Sequence, residues 1–323
     1  SSDLNKGKNM NNLKKIGLTA LAASLVTTSA FAGEMSVAGS ASIGVKNTTG
    51  TNTALGKSWT MGNQLTFTGG GELDNGMNVS LSFIIDQADD STTGLANSPF
   101  DSHSVTISSD ALGSFKFSGE GGSSAQGAMD AGAAGDLWNN GTGVAEITGA
   151  AAGNNSMFYT LPSMVDGLEV TASMSPGKAA QETHTSYGVA YTGVEGLTVK
   201  FGQGDSGAPG AEIESTTMMA SYAIGSFTVS ASNTEADKTG ANNREVRSYQ
   251  VAYTLSDSMS ATYGTETYET VGSSTDEEID SLGVSYTTGG MTLSATTFDT
   301  EGAGNTAGAK TERWARSEER RVG

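Results

Sequence analysis

The 323-residue chain contains no cysteine, which removes disulfide staples and thiolate metal sites from consideration. It has only 4 prolines and only 2 histidines, His103 and His184, both near loop ends. No Gly-x-Ser-x-Gly or His-x-x-Glu-His arrangement accompanies them, so the sequence offers no catalytic constellation. Past the N-terminal region no apolar run reaches the 18 residues or more that a membrane-spanning helix needs. Hydrophobic residues make up 36%, little for a soluble core of this length, while aromatics and regular alternation argue against disorder. Glycine, at 44 residues, and abundant Ser, Thr and Asn take the place of the missing apolar mass.

Positive charge is also scarce. Between residues 33 and 309, eight Lys and Arg face 31 Asp and Glu, a net charge of −23. Such a surface repels nucleic acid and anionic lipid headgroups, so no nucleic-acid partner is expected. The acidic runs Asp89-Asp90 and Asp276-Glu277-Glu278 could pair with calcium but form no specific signature, so no metal site is assigned and no cofactor is expected.

What the chain does have is period-two alternation. Trp59, Met61, Leu65 and Phe67 occupy one face, and Thr60, Gly62, Gln64, Thr66 and Thr68 the other. Glycines 69 to 71 and Asp74-Asn75-Gly76 allow a reversal, after which Met77, Val79, Leu81, Phe83 and Ile85 resume the pattern. A hairpin alone is unstable and needs a larger sheet. Further strand pairs follow to Ala295, joined alternately by short turns (Asp110 to Gly113, Gly225-Ser226, Ser256-Asp257, Thr288-Gly289) and long polar loops. Short connections at one end and long ones at the other describe an up-and-down antiparallel barrel.

The side chains say which face is wet. Lys116, Glu169 and Lys200 share the Ser/Thr face, and the central band of the apolar face carries no charge. In hydrocarbon the backbone must bond internally and a midplane Lys or Arg costs about 2–4 kcal/mol. The expected fold is therefore an all-β transmembrane barrel with apolar residues outward and a watery inside. Tyr191, Tyr253 and Tyr286 fall at the short-turn ends of their strands, where an interfacial aromatic girdle would sit; the β-propensity of Tyr is the alternative explanation.

Both ends depart from the pattern. Residues 1–9 read as translated upstream sequence. Residues 10–32 combine Lys14-Lys15, an apolar segment from Ile16 to Val26 and Ala30-Phe31-Ala32, the composition of a secretory signal cut after Ala32. From Lys310 the alternation stops and charge becomes dense. Residues 310–323 look like translated adapter DNA or, alternatively, a basic surface tail.

The longest connection, Glu120 to Asn155, is rich in Gly, Ala, Ser and Asn, with Glu120, Asp130, Asp136 and Glu146 spread through it and Trp138 as its one large anchor. A loop of this length has a job or is disordered. The signal segment 10–26, the start Gly33-Glu34-Met35-Ser36-Val37, Gly-Glu-Leu-Asp-Asn-Gly-Met at 71–77 and Leu112-Gly113-Ser114-Phe115 ahead of this loop resemble the general porins of marine alphaproteobacteria. The resemblance covers Met10 to about Asn305. It implies about sixteen strands, a homotrimer in outer-membrane lipid, assembly by the outer-membrane barrel machinery, and 120–155 folded inward as a constriction. About fifteen strands are visible, so residues 33–309 are expected to form an incomplete barrel: the closing strand with its terminal aromatic was lost, or the tail is forced into its place.

The resulting expectation is a pore passing small hydrophilic solutes and ions by passive diffusion with weak cation preference. Its loop acids would face Lys116 and Lys200 across a narrow passage. A non-conducting structural or adhesive barrel is the competing reading, and a barrel enzyme a further one.

Overall fold

The computed structural model describes residues 35–51, 56–86, 100–130, 132–140, 142–177, 182–240 and 243–322, with side chains to 319. The signal segment, the residues before it, and Asp89-Asp90 lie outside the described residues. Sixteen strands among those described close into one barrel, each hydrogen-bonded to its sequence neighbours and the last to the first.

The first five are β1 (Met35–Gly50), β2 (Gly56–Glu72), β3 (Asn78–Asp86), β4 (Ser102–Ser109) and β5 (Gly113–Glu120). After the third long loop come β6 (Ser156–Thr160), β7 (Leu168–Ser175), β8 (His184–Tyr191) and β9 (Leu197–Ala208). The longer wall follows: β10 (Ala211–Ile224), β11 (Phe227–Lys238), β12 (Arg244–Ser256), β13 (Met259–Thr270), β14 (Glu277–Thr288), β15 (Met291–Glu301) and β16 (Lys310–Val322).

The sidedness follows the alternation. Val199 and Phe201 of β9 lie opposite Ala220 and Met218 of β10, and Val199 is 41% exposed. Tyr253 is 40% exposed and stacks at a tilt on Phe227, ring centroids 4.6 Å apart. Large apolar side chains thus coat the outside, as a barrel immersed in lipid requires. Hydroxyls turn inward: Ser186 and Thr217 are almost wholly buried within the barrel.

The count of fifteen strands is corrected here. Residues 310–322, read from sequence as foreign to the barrel, form β16 and pair with both β15 and β1. The reason is geometric, since an open edge inside a membrane leaves backbone groups unpaired and any extended segment can satisfy them. Its side chains suit the place badly. Glu318 lies opposite Ile43 and Leu293, and Arg316 opposite Val45 and Ala295, so both stand on the lipid face. Backbone pairing is complete at this seam, whereas the apolar band is broken.

Candidate functional site: the inward loop

The third long loop enters the barrel from the end of β5. Gly122 and Gly153 pair across its neck with two backbone hydrogen bonds of 3.1 and 2.9 Å. Ser124 then caps a short helix, α1 (Ala125–Met129), its side chain accepting the Gly127 N–H at 2.9 Å. Such a cap satisfies one of the free amides of the first turn. The Asp136 side chain accepts the Gly132 N–H at 3.1 Å, closing a turn in which Asp136 adopts φ 53°. A 3-10 turn, Leu137–Asn140, follows before the chain runs back to β6.

The loop lies on a row of wall hydroxyls. Register places Ser173 opposite Ser186, and Ser232 opposite Ser248, which in turn faces Glu266. Ser186 accepts the Ala125 N–H at 2.8 Å, Ser232 the Ala133 N–H at 2.8 Å, and Ser248 the Ala134 N–H at 2.7 Å. Thr217 accepts the Gln126 side-chain amide at 2.7 Å, and Thr234 donates to Asp130 at 2.9 Å. On the return path Ser206 and Ser215 donate to the carbonyls of Gly149 and Thr148. Sequence reasoning gave these inward Ser and Thr to water, whereas those named here bond the loop. Loop amides without helix or sheet partners need acceptors, and short hydroxyl side chains at matched height supply them.

Beyond this row the loop is held by oil. Ala134, Leu137 and Val144 pack with Tyr268, Ile279 and Phe298 of the wall, and Trp138 lies against the same cluster. Ile147 packs with Ile213 and Ala236. These inward apolar residues reverse the alternation of their own strands: Tyr263 faces lipid and Tyr268 the interior, and Leu282 and Ile279 likewise.

Of the four acids expected at the constriction, three come together. Asp130, Asp136 and Glu146 line one cavity of about 370 Å³ with Trp138 and Glu266. Burial raises the Asp130 carboxyl above its ordinary range, against hydrogen bonds from Thr234 and Gln126, and Asp136 adds repulsion. Glu146 is raised by burial and then by Asp136 and Asp130. Like charges held this close make each harder to ionise. Glu120 stands apart at the end of β5, 3.8 Å from His103.

Lys116 lies opposite Thr106 and Phe158, and Lys200 opposite Ala190 and Met219. Glu169 is across from Ala190, on the inner face it shares with Lys200. The like charges that raise Asp130 and Glu146 belong to other loop acids. Among the described residues Arg244 reaches the loop: its guanidinium donates to the carbonyls of Ala145 and Glu146 at 3.0 and 3.1 Å and lies 3.4 Å from Glu277. It had no distinguishing signal in the sequence. Glu277 and Glu278 take opposite faces of β14, so the acidic run at 276–278 does not converge. Tyr191, Tyr253 and Tyr286 are exposed on the outer wall within three residues of a strand end at the short-turn rim.

A closed sixteen-strand barrel with apolar residues outside and a long loop bonded across its interior is the setting in which comparison with known proteins becomes decisive. The family model described as Gram-negative porin matches residues 17–299. The chain belongs to the Gram-negative porins. This porin therefore lies in the bacterial outer membrane and forms a channel through it. Among solved structures it is similar to an anion-selective porin from Comamonas acidovorans, at 14% identity and TM-score 0.67 over 90% of this chain and 99% of that one. It is also similar to a loop-L8 deletion form of OmpT, an outer membrane protein of Vibrio cholerae, at 15% identity and TM-score 0.67 over 90% and 99%. A third is Salmonella typhi OmpF in complex with daunomycin, at 12% identity and TM-score 0.65 over 90% and 98%. At such identities the likeness concerns the fold. No curated protein sequence matches this one.

Proposed function

We propose that this porin is a passive diffusion channel for small hydrophilic solutes and ions, weakly selective for cations, and that it works as a homotrimer placed in the membrane by the barrel assembly machinery. The observation that carries the selectivity is the gathering of Asp130, Asp136 and Glu146 on one loop inside the barrel, in a chain whose middle section carries −23. Fixed carboxylates in a narrow aqueous passage raise the local cation concentration and repel anions.

The test is recording in planar bilayers. Stepwise conductance with a reversal potential of cationic sign in a neutral KCl gradient supports the proposal. An anionic sign rejects the selectivity, and silence from fully refolded protein favours a structural barrel. Cross-linking in detergent, with a trimer band expected, checks the assembly.

A further inference from the structure

The outer wall is recessed where its side chains are small. On the lipid face Ala220 lies directly opposite Ala231, with Val199 across from Ala220 on one side and Tyr249 across from Ala231 on the other. Two adjoining recesses, of about 490 and 580 Å³, share Ala220, Ala231 and Tyr249. Tyr222, Val251 and Tyr263 line the one toward the short turns, and Phe201 and Met218 the one toward the long loops, so together they make a single apolar groove. The Tyr263 hydroxyl donates to Asp280 at 3.0 Å, which fixes one bank. From Val251 to Glu245 of β12 the groove runs about 20 Å at the rise of an extended strand, and half of a bilayer's hydrocarbon core is about 15 Å. It has the length of one acyl chain.

The long-loop end of the groove is charged. Glu235 stands directly opposite Glu245, and Glu245 directly opposite Glu269, an arrangement of like charges that destabilises a sheet. Arg247 lies 2.9 Å from Glu245 and 2.6 Å from Glu269, and the Asn233 amide donates to Glu235 at 3.0 Å. Three carboxylates against one guanidinium leave this end net negative. A lipid phosphate would be repelled, and among the described residues no three acids converge to hold a metal ion that could bridge one. An ammonium brings the missing charge together with N–H donors for carboxylate oxygens. We propose that the groove is a binding site for a phospholipid with a primary-amine headgroup, its ammonium among Glu235, Glu245 and Glu269 and one acyl chain laid along Ala220 and Ala231.

The experiment extracts the full chain from phosphatidylcholine nanodiscs carrying equal minor shares of phosphatidylethanolamine and phosphatidylglycerol, and identifies the lipid retained by native mass spectrometry. Wild type is compared with Ala231→Leu, which fills the floor, and with Glu235→Gln/Glu269→Gln, which discharges the head. Ala295→Leu, on the outer face of β15, controls for added bulk. Heat-modified gel migration establishes that each barrel is closed. Wild type should retain phosphatidylethanolamine about tenfold over phosphatidylglycerol, the worth of one charge-assisted hydrogen bond. Ala231→Leu should lose the retained lipid, the glutamine pair should keep lipid but lose the preference, and Ala295→Leu should match wild type. Equal retention of the two lipids by wild type, or preference for phosphatidylglycerol, would overturn the proposal. So would an Ala231→Leu form whose cross-linked oligomer changes while its lipid does not, since the groove would then be a contact between copies. If Ala231→Leu fails to close, the glutamine pair decides.

Discussion

A β-carbon built on Gly188 would stand 2.7 Å from the carbonyl oxygen of Ala125, so the wall gives up a side chain where helix α1 rests. Gly202 does the same one strand on, its added carbon meeting the Gln126 Cα at 2.9 Å. Gly188→Val and Gly202→Val should each lift the helix from its seat at a cost of about 1–3 kcal/mol, the usual price of overpacking. The strands themselves tolerate Val well. The expected result is a normal closed barrel with altered single-channel conductance.

Neutralising the loop acids should act on selectivity before it acts on folding. Asp136→Asn and Glu146→Gln together remove two charges from the shared cavity and relieve the repulsion on Asp130. The reversal potential in a KCl gradient should move toward zero, with thermal stability unchanged or raised. Glu120→Gln, outside the cavity and beside His103, is the control and should leave the potential where it was.

The pH dependence has a definite sign. Asp130 and Glu146 are raised by burial and mutual repulsion, so each takes up its proton at a pH above that of an ordinary carboxylate, about 4. Cation preference should therefore begin to fade at a pH higher than free carboxylates would predict. An acid raised in the folded state contributes stability that is complete below its unfolded pKa and is lost as pH rises through its folded value. For this pair the loop is held more firmly in acid. Reversal potentials between pH 7 and about 4, read alongside Trp138 emission in a Trp59→Phe/Trp314→Phe background, check both effects.

At the seam, Arg316→Leu with Glu318→Val would restore the apolar band beside Val45, Ile43 and Leu293. An Arg near the bilayer midplane costs about 2–4 kcal/mol, so the double variant should resist urea in lipid vesicles measurably better than the parent. Ser317→Ala is the inner-face control. This outcome would also support the proposal, made from sequence, that residues 310–323 are foreign to the barrel.

Removing the inward oil should loosen the loop from the other side. Ile279 is wholly buried between wall and loop, and Ile279→Ala should cost about 2–5 kcal/mol by opening a void beneath Leu137. It should raise open-channel conductance noise, whereas Leu282→Ala on the lipid face of the same strand should leave the noise unaltered.

The barrel was legible because lipid imposes a simple rule. Outward positions such as Val199, Tyr249 and Val284 have to be apolar, and a period of two displays them. The loop site was only half legible. Its acids stand out by type, but its seat is made of Ser186, Ser232 and Ser248, which by composition resemble any wetted face. The sequence does hold one usable clue. Val246, Tyr268, Ile279 and Phe298 each fall on the opposite parity from the apolar residues earlier or later in their own strands, and such a phase change marks a second buried surface. Arg244 and Glu266 left no clue of that kind, since their partners on the loop are more than 95 residues away in the chain.

That distance bears on how the protein is made. The hydrogen bond from Leu137 to Glu266 spans 129 residues, and the cluster beneath it reaches as far as Phe298. Contacts so remote form late, because the chain between them has to be ordered first. A barrel threaded into its membrane strand by strand would then pass through a wide, unfiltered stage, and its sieve would be finished only when the final strands arrive.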